Sequence, residues 1–190
     1  MTHPTLQIIV SSTRPGRSGV HVAQWVQQAA IEREAFEVEL VDLAQVALPL
    51  LDEPNHPSLG QYTKEHTRAW SSTVGRADAF IFVIPEYNHS FPASMKNALD
   101  YLHAEWAYKP VGLVSYGGVS AGLRSATALK VVLLALRMIP MHAAVSIPNI
   151  GDRVDDGGFR SYTEAESSLD SMLMELARSV QVEFAPGSAT

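Results

Sequence analysis

Five short apolar runs separated by helical patterns predict a doubly wound parallel α/β domain, with helices on both faces of one sheet. Three observations carry that reading. The third run, Phe80 to Ile84, is apolar without alternation, as a strand buried on both faces must be. Amphipathic stretches of helical period lie between successive runs. Polar segments rich in glycine or proline follow runs one, three and four, the sheet edge at which such folds bind ligands. Right-handed crossovers limit the possible topologies, and five strands suit the order 2-1-3-4-5 better than a six-stranded dinucleotide fold.

The elements follow in order. Residues 6–10 form the first strand. Residues 19–34 place Val22, Val26 and Ala29, with Trp25 beside them, on a helix. Residues 36–43 alternate as a second strand. Residues 45–60 carry Pro49, Pro54 and Pro57 with no sustained period and read as a long loop. A second helix covers 62–77, the third strand ends near Pro85, and a third helix covers 93–104. Residues 109–118 are a strand entering a glycine turn. A fourth helix, 121–138, is apolar on most sides at its centre. Residues 141–151 are a fifth strand and its exit, and 152–159 a polar, glycine-containing loop. A last helix over 163–184 lines up Leu169, Met172, Leu173, Leu176 and Val180. The expectation is one domain over 1–184 with a disordered tail at 185–190.

Composition narrows the function classes. An apolar fraction of 46% over 190 residues is enough for a substantial core. A net charge of −6 argues against nucleic-acid or anionic-membrane partners, which need a basic face. The absence of cysteine excludes disulfides, thiolate nucleophiles and iron–sulfur clusters. The histidines show no metal-ligand spacing, so no metal site is expected. No run approaches the length that spans a bilayer, and no secretory signal is visible, so a cytoplasmic location is the expectation.

The three polar segments hold the chemistry. "SSTRPGRSG" sets hydroxyls and the guanidinium groups of Arg14 and Arg17 where the first helix begins, with free backbone N–H groups and a helix dipole behind them. That pattern suits a phosphate monoester. It lacks the Walker ending and the G-x-G-x-x-G of dinucleotide folds. Read alone it is equally an ordinary strand-to-helix turn. "PEYNHSFPASMKN" has prolines at both ends of a loop, stiffening it so that backbone donors can meet a flat heterocycle. "SYGGVSAGLRS" offers glycines for close approach and a tyrosine to lie beside a ring. These two also have plain readings, as a rigid loop and a helix-leading turn.

In this order and spacing the three segments resemble the NADPH-dependent FMN reductase family, which has a flavodoxin-like three-layer α/β/α fold and includes quinone, chromate and azo-dye reductases. The likeness runs from about Leu6 to about Gly151. It implies that Ser12, Arg14, Arg17 and Ser18 take the FMN phosphate. It implies that Pro85, Glu86, Tyr87 and Asn88 flank the ribityl chain and the ring, with Ser115, Tyr116, Gly117 and Gly118 along the other edge. Ser11 departs from the family's frequent glycine and could crowd the turn. The implied reaction moves hydride from NADPH or NADH through FMN to a small acceptor in a ping-pong order, with no catalytic side chain. Backbone N–H groups of the second and third segments would stabilise charge on the reduced ring. The resemblance also implies a homodimer or homotetramer, formed through the third and fourth predicted helices.

Other readings compete. A flavodoxin-type electron carrier or an FMN-free binding module would use the same fold. "GGVSAG" contains the G-x-S-x-G of a hydrolase nucleophile elbow at Ser120, but no Asp or Glu lies between Ser120 and His142, so the order of a hydrolase triad fails. Arg124 reads as a solvated arginine, with contact to the NADPH 2′-phosphate as the rival. Lys96 and Asp100 have the spacing of a helix pair.

Overall fold

The computed structural model describes residues 3–182. Its main sheet runs β2 (Glu37–Asp42), β1 (Thr5–Val10), β3 (Ala79–Pro85), β4 (Pro110–Tyr116), then a fifth position, all parallel. The order is the expected 2-1-3-4-5. Every residue of β3 and β4 is buried, as central strands covered on both faces require.

Side-chain alternation divides the core in two. Leu6, Ile8, Val10, Ile81 and Val83 face α1 (Gly19–Glu32) and α6 (Thr163–Ser179). Ile9, Phe80, Phe82 and Ile84 face α3 (Glu65–Gly75), α4 (Ala93–Asp100) and α5 (Leu123–Ala135). Trp106 is buried on that second side against Phe80, Phe82 and Trp70, and its indole N–H donates to Leu99 O at 3.2 Å.

The structure departs from the sequence expectation in three places. The fifth position is two short strands, β5 (Ile139–Pro140) and β6 (Val145–Ile147), each paired with β4. Between them the amides of His142 and Ala143 donate to the Glu175 carboxylate of α6 at 2.9 and 2.8 Å, so a side chain replaces the ladder there. Residues 152–159 hold a hairpin, β7 (Val154–Asp155) with β8 (Gly158–Phe159), turned through Asp156 and Gly157. The long loop contains a one-turn α2 (Leu43–Val46) and a 3₁₀ turn at Pro57–Leu59. The last helix closes at Ser179, before the expected limit of 184, with Val180 at its C-cap, and the tail expected at 185–190 lies outside the described residues. No helix among the described residues is long and apolar enough to cross a membrane.

The long loop is pinned by side chains. Asn97 of α4 donates to Pro49 O at 2.7 Å and accepts from Leu51 N at 2.9 Å. Asp52 accepts from Tyr101 and pairs with His66 at 2.9 Å. Glu53 accepts from the amides of Thr63 and Lys64 and from the Thr63 hydroxyl. Burial alone would push the Glu53 carboxyl up; these donors outweigh it and hold the pKa at about 2, against an ordinary 4.5. A depressed carboxyl contributes stability above its unfolded pKa and loses it as pH falls through the folded value. Glu53→Gln is therefore expected to melt below the wild type at pH 7, and the gap to close between pH 4.5 and about 2, measured by thermal denaturation across that range.

Candidate functional site

Loops after β1 (residues 11–18), β3 (86–92) and β4 (117–122) meet at the carboxyl edge of the sheet. They wall one cleft of about 260 Å³, lined by Arg14, Arg17, Ser18, Pro85, Glu86, Tyr87, Tyr116, Gly117, Gly118 and Ile150. The loops are bonded to one another. The Ser12 and Tyr87 hydroxyls lie 2.6 Å apart, joining the first loop to the second. Glu86 N–H donates to Tyr116 O at 3.0 Å, and the Ser125 hydroxyl donates to Pro85 O at 2.8 Å.

The first loop is built around unused donors. Among the described residues, no hydrogen bond takes up the backbone N–H of Ser12, Thr13, Arg14, Gly16, Arg17 or Ser18. The N-terminus of α1 has no side-chain cap and no acidic residue in its first turn, so its dipole is unopposed. Arg17 pairs with Asp42 at the end of β2, and its buried Nε has no partner. An anion there would satisfy amides, helix end and guanidinium together. Ser11 does not crowd this turn. Its side chain is buried and donates to Val83 O at 2.8 Å, beneath the loop.

The second loop is tighter than the prolines alone foretold. Tyr87 and Ser90 exchange backbone bonds at 2.9 and 3.0 Å, with Asn88 (φ 49°) and His89 (φ 67°) between them, a two-residue turn with both centres left-handed. Gly122 in the third loop and Gly19, the first residue of α1, permit the close packing around Tyr116. A Cβ on Gly19 would stand 2.6 Å from the Tyr116 hydroxyl. Burial chiefly, with Tyr87 nearby, pushes the Tyr116 phenol up and outweighs Ser12, Arg14 and Arg17, so it stays a neutral hydroxyl.

Nine of the residues singled out from sequence share the cleft; three do not line it. Ser12 is buried behind the first loop. Asn88 is exposed at the turn tip. Ser115 is buried in β4 with its hydroxyl on Ala121 O at 3.0 Å, shaping the third loop from below. The donors expected to face the ring need revision too. Glu86 N, Tyr87 N and Gly117 N already donate within the backbone, which leaves the amides of Asn88 and Gly118. Ile150 was missed. It reaches the cleft because its N–H donates to Gly117 O at 3.0 Å, a long-range contact with no local signal.

Two side readings also resolve. Arg124 is not simply solvated: it is ion-paired with Glu86 at 2.7 Å. Lys96 and Asp100 form the expected helix pair at 2.6 Å. No hydrogen bond among the described residues joins Ser120 to a histidine, so the hydrolase constellation is not assembled there.

The family model described as NADPH-dependent FMN reductase matches residues 4–152, which include all three loops. A Schizosaccharomyces pombe protein named NAD(P)H-dependent FMN reductase is 40% identical over 158 residues, 81% of this chain and 78% of that one. An FMN-dependent NADPH-azoreductase of Staphylococcus saprophyticus is 27% identical over 80% of this chain and 81% of its own. Among solved structures, the flavoenzyme FerB of Paracoccus denitrificans, an NAD(P)H:(acceptor) oxidoreductase, superposes with a TM-score of 0.75 at 20% identity, covering 94% of this chain and 97% of that one, a likeness of fold. By its motifs, its sheet order and these matches, the chain belongs to the NADPH-dependent FMN reductase family of FMN- and NAD(P)H-dependent oxidoreductases.

Proposed function

We propose that the three-loop cleft holds FMN, with its phosphate on the first loop and its ring between the second and third. The observation that carries this reading is that one cleft is walled by all three loops at once, beside a set of unpartnered amides and the Arg17 Nε. Bound FMN would supply hydride uptake from NAD(P)H and delivery to a small two-electron acceptor, such as a quinone or an azo compound, the two substrates taking turns. The chain's own part is to bind and to orient. Arg14, Arg17, Ser18 and the backbone N–H groups of residues 12–14 and 16–18 take the phosphate, while Ser12 holds Tyr87 in place. Gly117 and Gly118 allow close approach to the ring, and the amides of Asn88 and Gly118 donate towards it. Proline at both ends of the second loop keeps this geometry fixed before binding.

The purified protein should show flavin absorbance near 450 nm or acquire it with added FMN. It should oxidise NAD(P)H when a quinone or azo dye is present, with parallel double-reciprocal plots. Flavin binding without NAD(P)H oxidation would indicate an electron carrier instead, and no flavin binding a fold relative that serves as a binding module.

The same reading treats residues 1–184 as one domain working in the cytoplasm, where NAD(P)H is at hand, and pairs it with a second copy of itself. Leu123, Val131 and Leu134 are 55%, 70% and 63% exposed along α5, an apolar stripe that a second copy would cover together with α4. The double substitution Val131→Asp and Leu134→Asp is expected to convert the oligomer to monomer in sedimentation velocity, with the fold retained by circular dichroism.

A further inference from the structure

The Glu86 carboxylate stands in the wall of the cleft with its side chain only 7% exposed. One oxygen accepts from the Arg124 guanidinium at 2.7 Å and the other from the Arg124 backbone N–H at 3.2 Å. That amide belongs to the first turn of α5, whose N-cap position is Gly122 and has no side chain to offer. A residue 38 positions upstream therefore caps the helix and binds the second loop to the third. Capping alone does not need a charge. A serine, an asparagine or a neutral glutamine supplies an acceptor at lower desolvation cost. Burial pushes the Glu86 carboxyl up, but the bonds from Arg124 and Ser120, with the Arg124 charge, hold it below the usual carboxylate range. The wall of the cleft thus carries a full negative charge at neutral pH, and its counter-charge is 49% exposed on the far side.

We infer that Glu86 and Arg124 act as an electrostatic brace that sets how strongly the cleft prefers oxidised over reduced FMN, Glu86 disfavouring the reduced form and Arg124 offsetting it. This rests on the cleft being the FMN site. Two-electron reduction of a flavin with uptake of one proton adds one negative charge to the ring. A fixed anion in the same wall opposes that charge, and a cation relieves it, with little screening inside the cleft. Both are positioning residues: the pair tunes the site without giving or taking the hydride.

The test is the midpoint potential of bound FMN, measured against a reference dye, in the wild type, E86Q and R124Q, with circular dichroism to confirm folding. E86Q is expected to raise the potential, which corresponds to a rise of about five- to tenfold in the relative affinity for reduced FMN. R124Q is expected to lower it by a smaller factor, because a half-exposed guanidinium is partly screened by solvent. Shifts of opposite sign support the brace. A purely structural role would move both variants the same way or neither, and either result overturns it. Should R124Q fail to fold, E86Q decides alone: a rise supports the brace and an unchanged potential overturns it. A wild type that binds no FMN overturns the assignment of the cleft and the brace with it. A wild type that binds FMN beside variants without opposed shifts overturns the brace only.

Discussion

Gly122→Ala is expected to cost the fold about 3–5 kcal/mol, the sum of left-handed backbone strain and overpacking against a rigid neighbour. Gly122 sits at φ +79°. A Cβ there would lie 2.6 Å from Tyr116 N, 2.8 Å from Ser115 Cβ and 2.9 Å from Tyr116 O. Two of those three atoms are backbone of the central strand β4 and cannot move aside without breaking its pairing with β3. Gly118, four residues earlier in the same loop, has no atom within 4 Å of such a Cβ. Gly118→Ala should therefore change stability by no more than about 0.5 kcal/mol. Urea denaturation of the two variants separates them. Equal stabilities would mean that the third loop is not packed as described.

The double substitution Arg14→Ala and Arg17→Ala is expected to weaken FMN binding by at least about 100-fold, from two charge-assisted contacts worth about 1.5–3 kcal/mol each. The two arginines differ in their setting. Arg14 is exposed and can be removed with little effect on folding. Arg17 is drawn in beside Asp42, whose side chain is 12% exposed, so Arg17→Ala also strands a partly buried carboxylate. Titration by quenching of flavin fluorescence, with Asp42→Asn added to the Arg17 variant, distinguishes the two effects. Riboflavin, which lacks the phosphate, should bind the wild type and the double variant alike. If FMN also bound both alike, the first loop would not be the phosphate site.

Much of this arrangement was legible because it is local. The unbroken apolar run of β3 reveals a strand with both faces covered, and the first helix begins at the final glycine of "SSTRPGRSG". Glycines and prolines marked the ends of β1, β3 and β4, and the carboxyl-edge rule then brought the three loops together. The details set by distant partners were not legible. Glu175 interrupts the fifth strand from 33 residues away in sequence. Asp42 claims Arg17 and Glu86 claims Arg124 across the sheet edge, over 25 and 38 residues. Ser115 belongs to the right segment, yet strand alternation turns it inward, beneath the loop its neighbours line. The hairpin of β7 and β8 had a visible signal in Asp155–Gly158, two carboxylates before two glycines, which a reading as polar loop passed over.

A crystal structure of the protein grown with excess FMN addresses the central claim most directly. The account predicts the phosphate within hydrogen-bond distance of Arg17 and of backbone N–H groups among residues 12–14 and 16–18, and the ring between Tyr87 and Gly117–Gly118. Density for FMN at another face of the molecule, or a cleft that stays empty at saturating cofactor, would contradict it.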